Sequence, residues 1–346
     1  MWDRARRRVT VLYNTDYQPG ALDDRSAVQS AAIALYEAIG ECGMERELVG
    51  IDGVDLWSTM ASLRARAPHL VFNLCESLLG DARNEPVVPS ALEAIGLPYT
   101  GNSADALELC LYKERAKEVL RRAGVPTPEF CLLAGEDDLA AALAEPLDYP
   151  YFVKLAHQDA SLGIGAQNLV RGPAALASVT RALWRRFDEP VLAERYISGR
   201  EVNVTLLGDD ARGIEILPLH EIDFSSIDER PPIVTYAAKW DPGHLDYQST
   251  PVIPLRETPA PVLAAIIRVA TDAYRVLGLR DFGRVDLRID EDGQPWVIDI
   301  NPNCDLSPEA GAARAAMRAG IEYPQLIRRI CDLAWTRAGD LALGAL

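Results

Sequence analysis

The pattern of apolar and polar residues divides the first hundred residues into short apolar runs separated by helical segments. Apolar runs at residues 8–13 and 70–74 predict buried strands. Helical patterns are found at residues 27–40 and 90–96, and residues 97–102 predict a strand that leads into a turn. This alternation of strand and helix indicates a small parallel sheet with helices on its faces.

The pattern changes after residue 102. Residues 103–124 predict one long helix with a serine cap and a glycine stop, and the rigid segment VPTP follows it. A domain boundary near residue 103 is therefore predicted. A second long amphipathic helix is predicted over residues 257–278. Between the two helices, strand-like runs occur at residues 149–156, 166–170, 190–197 and 201–208.

Near the C-terminus, the stretch FGRVDLRIDEDGQPWVIDINPN predicts a β-hairpin. The Asp-Gly pair at 292–293 is a strong signal for a two-residue turn, because both residues tolerate a positive φ. With that turn, Asp286 faces Asp299 and Arg284 faces Asn301. All four side chains then share the polar face, since alternate residues of a strand point to the same side.

Two carboxylates that face each other across a strand pair are unfavourable without a partner. Their Cβ atoms would lie roughly 4.5–5.5 Å apart, where like charges destabilise the sheet. A hard cation such as Mg²⁺ would remove the repulsion and would take phosphate oxygens as further ligands. The alternative is a solvated hairpin whose polar face meets only water, and a three-residue turn would break the predicted pairing.

Composition narrows the class of protein. The 346 residues are long enough for two or three domains, and 49% apolar and 25% charged residues are typical of a soluble enzyme. A net charge of −16 argues against nucleic-acid binding. The first apolar run is too short for a signal peptide or a membrane span. The six cysteines lack metal-ligand spacing and the four histidines are scattered, so we expect reduced thiols in the cytoplasm and no zinc site.

Three further stretches could carry chemistry. Lys154 precedes the small-residue loop 161–165, whose glycines let backbone N–H groups approach an anion; the alternative is an ordinary tight turn. Glu194 and Glu201 flank a bend and could accept hydrogen bonds from a nucleotide; the alternative is a pair of solvated carboxylates. The polar segment 235–254 is long and predicted to be poor in regular structure, which favours a lid over a plain surface loop.

The order and spacing of these features resemble the ATP-grasp superfamily, and specifically its D-alanine–D-alanine ligase branch, over roughly residues 68–335. LEAIGLPYTGN and the helix after it resemble the link between the first two domains, and RVD…DINPN resembles the metal site. The resemblance implies an α/β protein with an ATP-grasp fold. It implies a Rossmann-like parallel domain over 1–102, followed by a central α+β domain over 103–193 and a C-terminal α+β domain over 194–346, which sandwich ATP.

The resemblance also implies roles for single residues. Those that would hold the phosphates of ATP are Lys113, Lys154 and the loop containing Ser161, Gly163 and Gly165. Those that would contact adenine and ribose are Glu194, Arg195, Tyr196, Ile197 and Glu201. Those that would bind two Mg²⁺ ions, with Mn²⁺ as the alternative, are Asp286, Asp299 and Asn301. Arg284 and Lys239 would be catalytic. Arg284 would stabilise the charge that develops at the reacting carboxyl group, and Lys239 would act from the lid.

The implied reaction joins a small-molecule carboxylate to a small-molecule amine. The carboxylate attacks the γ-phosphate of ATP, and the amine displaces phosphate from the acylphosphate, leaving ADP and phosphate as products. Positioning and charge neutralisation by two metal ions dominate catalysis of this kind, and a closed lid keeps water away. A homodimer is the usual assembly in the family.

The sequence departs from the family pattern at residues that face the substrates. The pattern has serine, tyrosine and serine where this chain has Ala160, Trp240 and Ala310, and its N-terminal His-Gly…Gly-Glu-Asp-Gly stretch is missing from residues 72–93. The residues of that altered stretch that could recognise the acid are Glu76, Asp81, Arg83, Asn84 and Glu85. The alternative for these five is a polar loop that caps the next helix.

These departures favour an amide-forming ligase with a different acid, a different amine, or both, because polar contacts discriminate strongly between substrates. Two alternatives remain open from the sequence. One is a genuine D-alanine–D-alanine ligase of cell-wall synthesis, and the other is a non-catalytic ATP-binding regulatory module.

Overall fold

A computed structural model describes residues 7–16, 22–158, 161–227, 231–241 and 243–344. Within these ranges, three β-sheets, each built from a consecutive part of the chain, form the framework of the fold. No helix in these ranges is long and apolar enough to cross a membrane. The predicted division into three domains remains a prediction.

The first sheet is parallel, with strands β1 (Arg8–Asn14), β2 (Glu45–Ile51) and β3 (Leu70–Asn73) in the order β2-β1-β3. Its helices are α1 (Leu22–Glu41), α2 (Leu56–Arg66) and α3 (Val87–Ala94). The parallel α/β sheet is as predicted. Residues 97–102 do not form a strand, because only Tyr99 bridges to Val71 before the chain leaves the sheet.

The helix predicted over 103–124 is broken at Tyr112 into α4 (Ala104–Leu111) and α5 (Lys113–Arg122). Tyr112 has φ −83° and ψ 87°, which is not helical. The amide of Lys113 donates to the carbonyl of Ala156 at 3.3 Å instead of to a carbonyl in the preceding turn. This contact between distant parts of the chain ends one helix and begins the next.

The second sheet is antiparallel, with strands β4 (Phe130–Leu133), β5 (Tyr151–Leu155), β6 (Leu169–Val170) and β7 (Val191–Arg195) in the order β4-β7-β5-β6. Helices α6 (Glu136–Ala144) and α7 (Pro173–Phe187) belong to this part of the chain. The strand predicted over 166–170 is shorter, because Ala166–Asn168 forms a 3₁₀ turn in which the Asn168 side chain accepts a hydrogen bond from the Gly165 amide.

The third sheet has strands β8 (Arg200–Asp209), β9 (Gly213–Ile216), β10 (His220–Ile222), β11 (Val252–Pro254), β12 (Phe282–Ile289) and β13 (Pro295–Asn301). Their order is β11-β10-β8-β12-β13, with β9 paired to β8. The remaining helices are α8 (Tyr236–Trp240), α9 (Leu245–Ser249), α10 (Ala260–Val276), α11 (Gly311–Arg318) and α12 (Tyr323–Gly344). The segment 235–254 is therefore more regular than predicted, and α10 begins only after Pro259.

The predicted pairing of β12 with β13 is confirmed at the end of the hairpin away from the turn. Asp286 lies opposite Asp299, and Arg284 lies opposite Asn301. From Leu287 to the turn, however, the register is shifted, so that Leu287 pairs with Val297. A β-bulge between the two parts accounts for the shift.

The predicted two-residue turn is wrong. Asp290 and Gln294 close the loop, with the Asp290 amide donating to the Gln294 carbonyl at 3.1 Å, and Gly293 has φ +81°. Three-residue hairpin loops with a glycine in this region are the next most common type after two-residue turns. The extra residue of the loop and the bulge cancel each other, which restores the predicted pairing at Asp286.

The largest hydrophobic core joins the two ends of the chain. Val9 and Val11 of β1 pack in the same cluster as Leu326 and Ile330 of α12, and all four are fully buried. The cluster also contains Phe282 of β12. The first sheet and the third sheet therefore share one core, with α12 between them.

A buried ion pair fastens the end of the first α/β unit to the third sheet. Asp281, which is 1% exposed, accepts hydrogen bonds from the Arg337 guanidinium at 2.7 Å and from the Gly101 amide at 2.8 Å. Arg337 also donates to the carbonyl of Tyr99 at 2.8 Å. Removing one partner of such a pair leaves an uncompensated buried charge.

We therefore expect Arg337→Met to lower the free energy of unfolding by about 3–5 kcal/mol, as for other broken buried pairs. The matched control is Arg329→Met on the same helix, whose half-exposed pair with Glu215 at 2.8 Å should contribute at most about 1 kcal/mol. Urea unfolding followed by circular dichroism measures both. Equal, small losses in the two variants would contradict the structural role of the buried pair.

Candidate active site

A cleft of about 1280 Å³ lies between the three sheets. Single ligand pockets usually measure roughly 300–1,000 Å³, so this cleft has room for a nucleotide and further small molecules. The predicted site residues that line it are Glu76, Glu85, Lys113, Lys154, Ser161, Glu194, Arg195, Tyr196, Ile197, Glu201, Lys239, Arg284, Asp286, Asp299, Asn301 and Ala310. The structure thus brings together residues from widely separated stretches of the sequence.

The polar face of the hairpin is held by a dense set of hydrogen bonds around Asp286. The guanidinium of Arg284 binds its carboxylate through two N–H groups, at 2.7 and 2.8 Å. The amide side chains of Asn203 on β8 and Asn301 on β13 donate to the two carboxylate oxygens at 2.7 and 3.0 Å. Three strands therefore position one carboxylate at the floor of the cleft.

A second charged pair continues the same face. Arg288 of β12 lies directly opposite Glu201 of β8, and their side chains are 3.0 Å apart. Both are buried, and burial raises the pKa of Glu201 above its usual range although Arg288 opposes the shift. Arg288 also binds the hydroxyl of Tyr196 at 2.9 Å. Glu201 and Tyr196 are thus held in place before any ligand arrives.

A cluster of lysines surrounds Glu194 at the end of β7. The two carboxylate oxygens of Glu194 lie 2.9 Å from Lys154 and 2.8 Å from Lys117, and all three residues are buried. Burial alone would raise the pKa of Glu194, but the two ammonium groups outweigh it and the pKa lies below its usual range. Glu194 is therefore a carboxylate that fixes two lysines, of which Lys154 lines the cleft.

Asp299 lies on the other side of these lysines. Its carboxylate is 3.8 Å from the ammonium of Lys113, the first residue after the helix break. Burial acts to raise the pKa of Asp299, but the surrounding lysines, Lys113 first among them, hold it below its usual range. Lys239 of the segment 235–254 contributes to the same effect, so this segment lies close to the hairpin.

A backbone hydrogen bond connects the loop 161–165 to the predicted lid at residues 235–254. The amide of Tyr236 donates to the carbonyl of Ile164 at 3.1 Å. Within the lid, the Thr235 hydroxyl donates to Asp246 at 2.6 Å and accepts from the Ala238 amide at 3.1 Å. The loop 161–165 and the segment 235–254, here called the roof, are therefore connected and line the cleft together.

The altered N-terminal stretch also contributes to the cleft. Glu76 and Glu85 line it, and Glu85 accepts a hydrogen bond from Asn303 at 2.7 Å. Arg83 and Asn84 do not line it. Arg83 pairs with Asp81 at 2.7 Å, and Asn84 donates to the Leu78 carbonyl at 3.0 Å, so both stabilise the loop itself.

The structure describes two of the three residues that depart from the family pattern. Ala310 lines the cleft at the residue that precedes α11, and no side chain caps that helix. Trp240 ends α8. Ala160 and the side chain of Trp240 lie outside the described part of the structure.

Sequence reasoning missed two charged residues that periodicity could have found: Arg288, which lines the cleft, and Lys117, which lies beside Glu194. Lys117 follows Lys113 by four residues, so both lie on the same face of α5. Arg288 follows Arg284 and Asp286 at intervals of two, so it continues the polar face of β12. In both cases the signal was a charged residue repeated at the period of the helix or of the strand.

The donor set on the hairpin fits Mg²⁺. Asp286, Asp299 and Asn301 supply hard oxygen atoms, and Mg²⁺ in such sites keeps few protein ligands and completes its shell with phosphate oxygens and water. Among the described residues, no three histidine, cysteine or acidic side chains converge on one point. A metal ion bound here would therefore need phosphate as well as protein.

Comparisons with known proteins agree with this geometry. A family model described as the C-terminus of D-ala D-ala ligase matches residues 119–332. The uncharacterized protein y4sG of Sinorhizobium fredii is 34% identical over 315 residues, covering 88% of each chain. A D-alanine–D-alanine ligase of Moorella thermoacetica is 32% identical over 321 residues, covering 91% of this chain and 94% of that protein.

A solved structure supports the fold. The D-alanine–D-alanine ligase of Bacillus anthracis, complexed with ATP, superimposes with a TM-score of 0.73 at 19% identity and covers 96% of this chain and 99% of that chain. The chain has the ATP-grasp fold. It belongs to the D-alanine–D-alanine ligase-like family of ATP-grasp enzymes, which are ATP-dependent ligases that form a C–N bond between small-molecule substrates.

We expect the roof to respond to nucleotide. Amide hydrogen exchange in residues 161–165 and 235–254 should slow on addition of a non-hydrolysable ATP analogue with Mg²⁺, because both segments line the cleft and are hydrogen-bonded to each other. Strand β9, which does not line the cleft, serves as the internal control. Unchanged exchange in both roof segments would show that they are not a lid.

Proposed function

We propose that the enzyme joins a carboxylic acid to an amine through an acylphosphate formed with ATP, and that the acid, the amine or both differ from D-alanine. The observation that carries the proposal is Ala310. The residue lines the cleft immediately before α11 with no side-chain hydrogen bond, where the D-alanine pattern places a serine that holds the second alanine. A site that has lost a polar contact to a substrate discriminates poorly in favour of that substrate.

The residues of the lysine cluster and the hairpin support nucleotide binding. Lys113 and Lys154 carry the positive charge, and the loop 161–165 supplies backbone amides for the phosphates. Glu194, Glu201 and the backbone of residues 195–197 lie on the same cleft wall, where they would contact adenine and ribose. Asp286, Asp299 and Asn301 would hold Mg²⁺, which neutralises phosphate charge when bound.

Protein side chains would then guide the two chemical steps. In the first, an oxygen of the acid bonds to the γ-phosphorus, and the bond to the bridging oxygen of ADP breaks. In the second, the amine nitrogen bonds to the acyl carbon, phosphate leaves with its electron pair, and the nitrogen loses a proton. Arg284 would stabilise negative charge on the acyl oxygen, and Lys239 would act from the lid.

The altered stretch around Glu76 and Glu85 supports recognition of the acid substrate. Both carboxylates line the cleft. A homodimer and a cytoplasmic location remain predictions.

The metal assignment has a direct test. Asp286→Ala and Asp299→Ala should each lower turnover by at least about 10²-fold, the effect of removing one electrostatic group from an active site. Binding of the ATP analogue, measured by calorimetry, should be weak without Mg²⁺ and should lose its Mg²⁺ dependence in both variants.

The control for this test is Asp210→Ala, which removes an exposed carboxylate paired with Arg275 outside the cleft. It should keep turnover and Mg²⁺ dependence, since exposed pairs contribute little. Thermal melting would show that all variants fold. Undiminished turnover in both Asp286→Ala and Asp299→Ala would contradict the metal assignment.

The substrate proposal predicts little ADP release with D-alanine alone. Another carboxylate–amine pair, found by screening acids and amines in combination with mass spectrometry of the product, should raise ADP release at least about 100-fold. A factor of that size corresponds to about 2.7 kcal/mol, which one or two buried hydrogen bonds can supply.

Efficient D-alanyl-D-alanine synthesis would instead favour the cell-wall ligase. ATP binding without ADP release for any pair would favour a regulatory module. Both outcomes contradict the proposal, and the screen separates them.

A further inference from the structure

One end of the cleft carries an unusual concentration of hydrogen-bond donors. His220 on β10 lines the cleft, is 2% exposed, and its Nε2 atom has no hydrogen-bond partner among the described residues. The ring lies against the start of α11, since a Cβ added to Gly311 would be 4.0 Å from its Nδ1. A buried polar atom without a partner is costly unless a ligand or water satisfies it.

Arg314 adds a positive charge at the same place. It lines the cleft, its Nε is buried and donates no hydrogen bond, and no carboxylate of the described residues lies within 4.0 Å of its guanidinium. Arg314 is also in the first turn of α11, where the helix dipole disfavours a cation. Stability therefore does not explain an arginine at this position, whereas an anionic ligand does.

The helix itself contributes further donors. Its first amides have no partner within the helix, and no side chain caps them. Two carboxylates line the cleft nearby, but that of Asp305 already accepts from the Ser307 amide and hydroxyl at 2.8 and 2.5 Å, and Glu309 is exposed. We call His220, Arg314 and the start of α11 the basic end of the cleft.

Arg314 lies one helical turn beyond Ala310, on the same face of the helix. One turn is about 5.4 Å, which is more than the length of an alanine side chain. A carboxylate attached through one or two methylene groups to an amino acid at Ala310 would span this distance. Burial lowers the pKa of His220 to about 4, with Arg318 and Arg314 adding to the shift, so the ring is a neutral donor or acceptor at pH 7.

We propose that the basic end of the cleft binds a side-chain carboxylate of the amine substrate, which makes an acidic amino acid the amine that this ligase uses. Arg314 is the residue that determines this specificity, and His220 assists it. The inference rests on the proposed function, because it names one of the two substrates of the same reaction.

The test separates the inference from the proposed function. With hydroxylamine in place of the amine, the nitrogen of hydroxylamine displaces phosphate from the acylphosphate. The hydroxamate product therefore reports formation of the acylphosphate, and this reaction does not depend on the basic end of the cleft. Carboxylic acids are screened in this way with ATP and Mg²⁺. The best acid is then combined with aspartate, glutamate, asparagine, glutamine and alanine, each as both enantiomers.

The wild-type enzyme should use an acidic amino acid at least about 20-fold better, in kcat/KM, than its matched amide, because a buried cation rejects a neutral group. Arg314→Met should bring this ratio close to one by raising KM for the acid, and Arg314→Lys should keep part of it. Arg329→Met, on α12 and outside the cleft lining, should leave the ratio unchanged. Hydroxamate formation should be equal in all four proteins, which shows that the variants are folded.

A wild-type enzyme that forms the hydroxamate but uses amides or alanine as well as the acids would overturn the inference alone. The inference would also be wrong if Arg314→Met kept the preference for the acid. Absence of a hydroxamate with every acid would overturn the proposed function and the inference with it.

Discussion

The pairing of Asp286 with Asp299 across the hairpin is the constraint on which the rest of the site depends. Side chains alternate along a strand, so a shift of one residue would turn either carboxylate away from the cleft. The hairpin keeps the pair in place through two irregularities that compensate each other, the loop closed by Asp290 and the bulge after Asp286. A change in either one alone would separate the two carboxylates.

Charges from three parts of the chain converge on that pair. Arg284 and Asn203 engage Asp286 from the sheet, and Lys113 approaches Asp299 from the helix that begins at the break. Glu194 holds Lys154 and Lys117 from the second sheet. Each carboxylate is therefore balanced by cations before a ligand binds, which favours a ligand that brings its own charge of both signs, as a metal–nucleotide complex does.

Local signals predicted the hairpin pairing, the first parallel sheet and the glycine loop, because alternation, apolar runs and glycine spacing act over a few residues. The loop length was not predictable in this way. Asp290 organises it through its side chain, which accepts from the Gln294 amide at 2.8 Å and from the Trp296 indole at 2.8 Å. The helix break before Lys113 depends on the backbone carbonyl of Ala156, a residue far along the chain. Local periodicity cannot predict such a contact.

We propose that the polar face of the hairpin binds the phosphates of ATP through metal ions. The proposed ligase reaction depends on this binding. A crystal structure of the enzyme with a non-hydrolysable ATP analogue and Mg²⁺ tests it most directly. We predict metal ions about 2.0–2.1 Å from oxygen atoms of Asp286, Asp299 or Asn301, with the triphosphate between the hairpin and Lys113. A nucleotide bound elsewhere, or phosphates held in the cleft with no ion at these side chains, would contradict it.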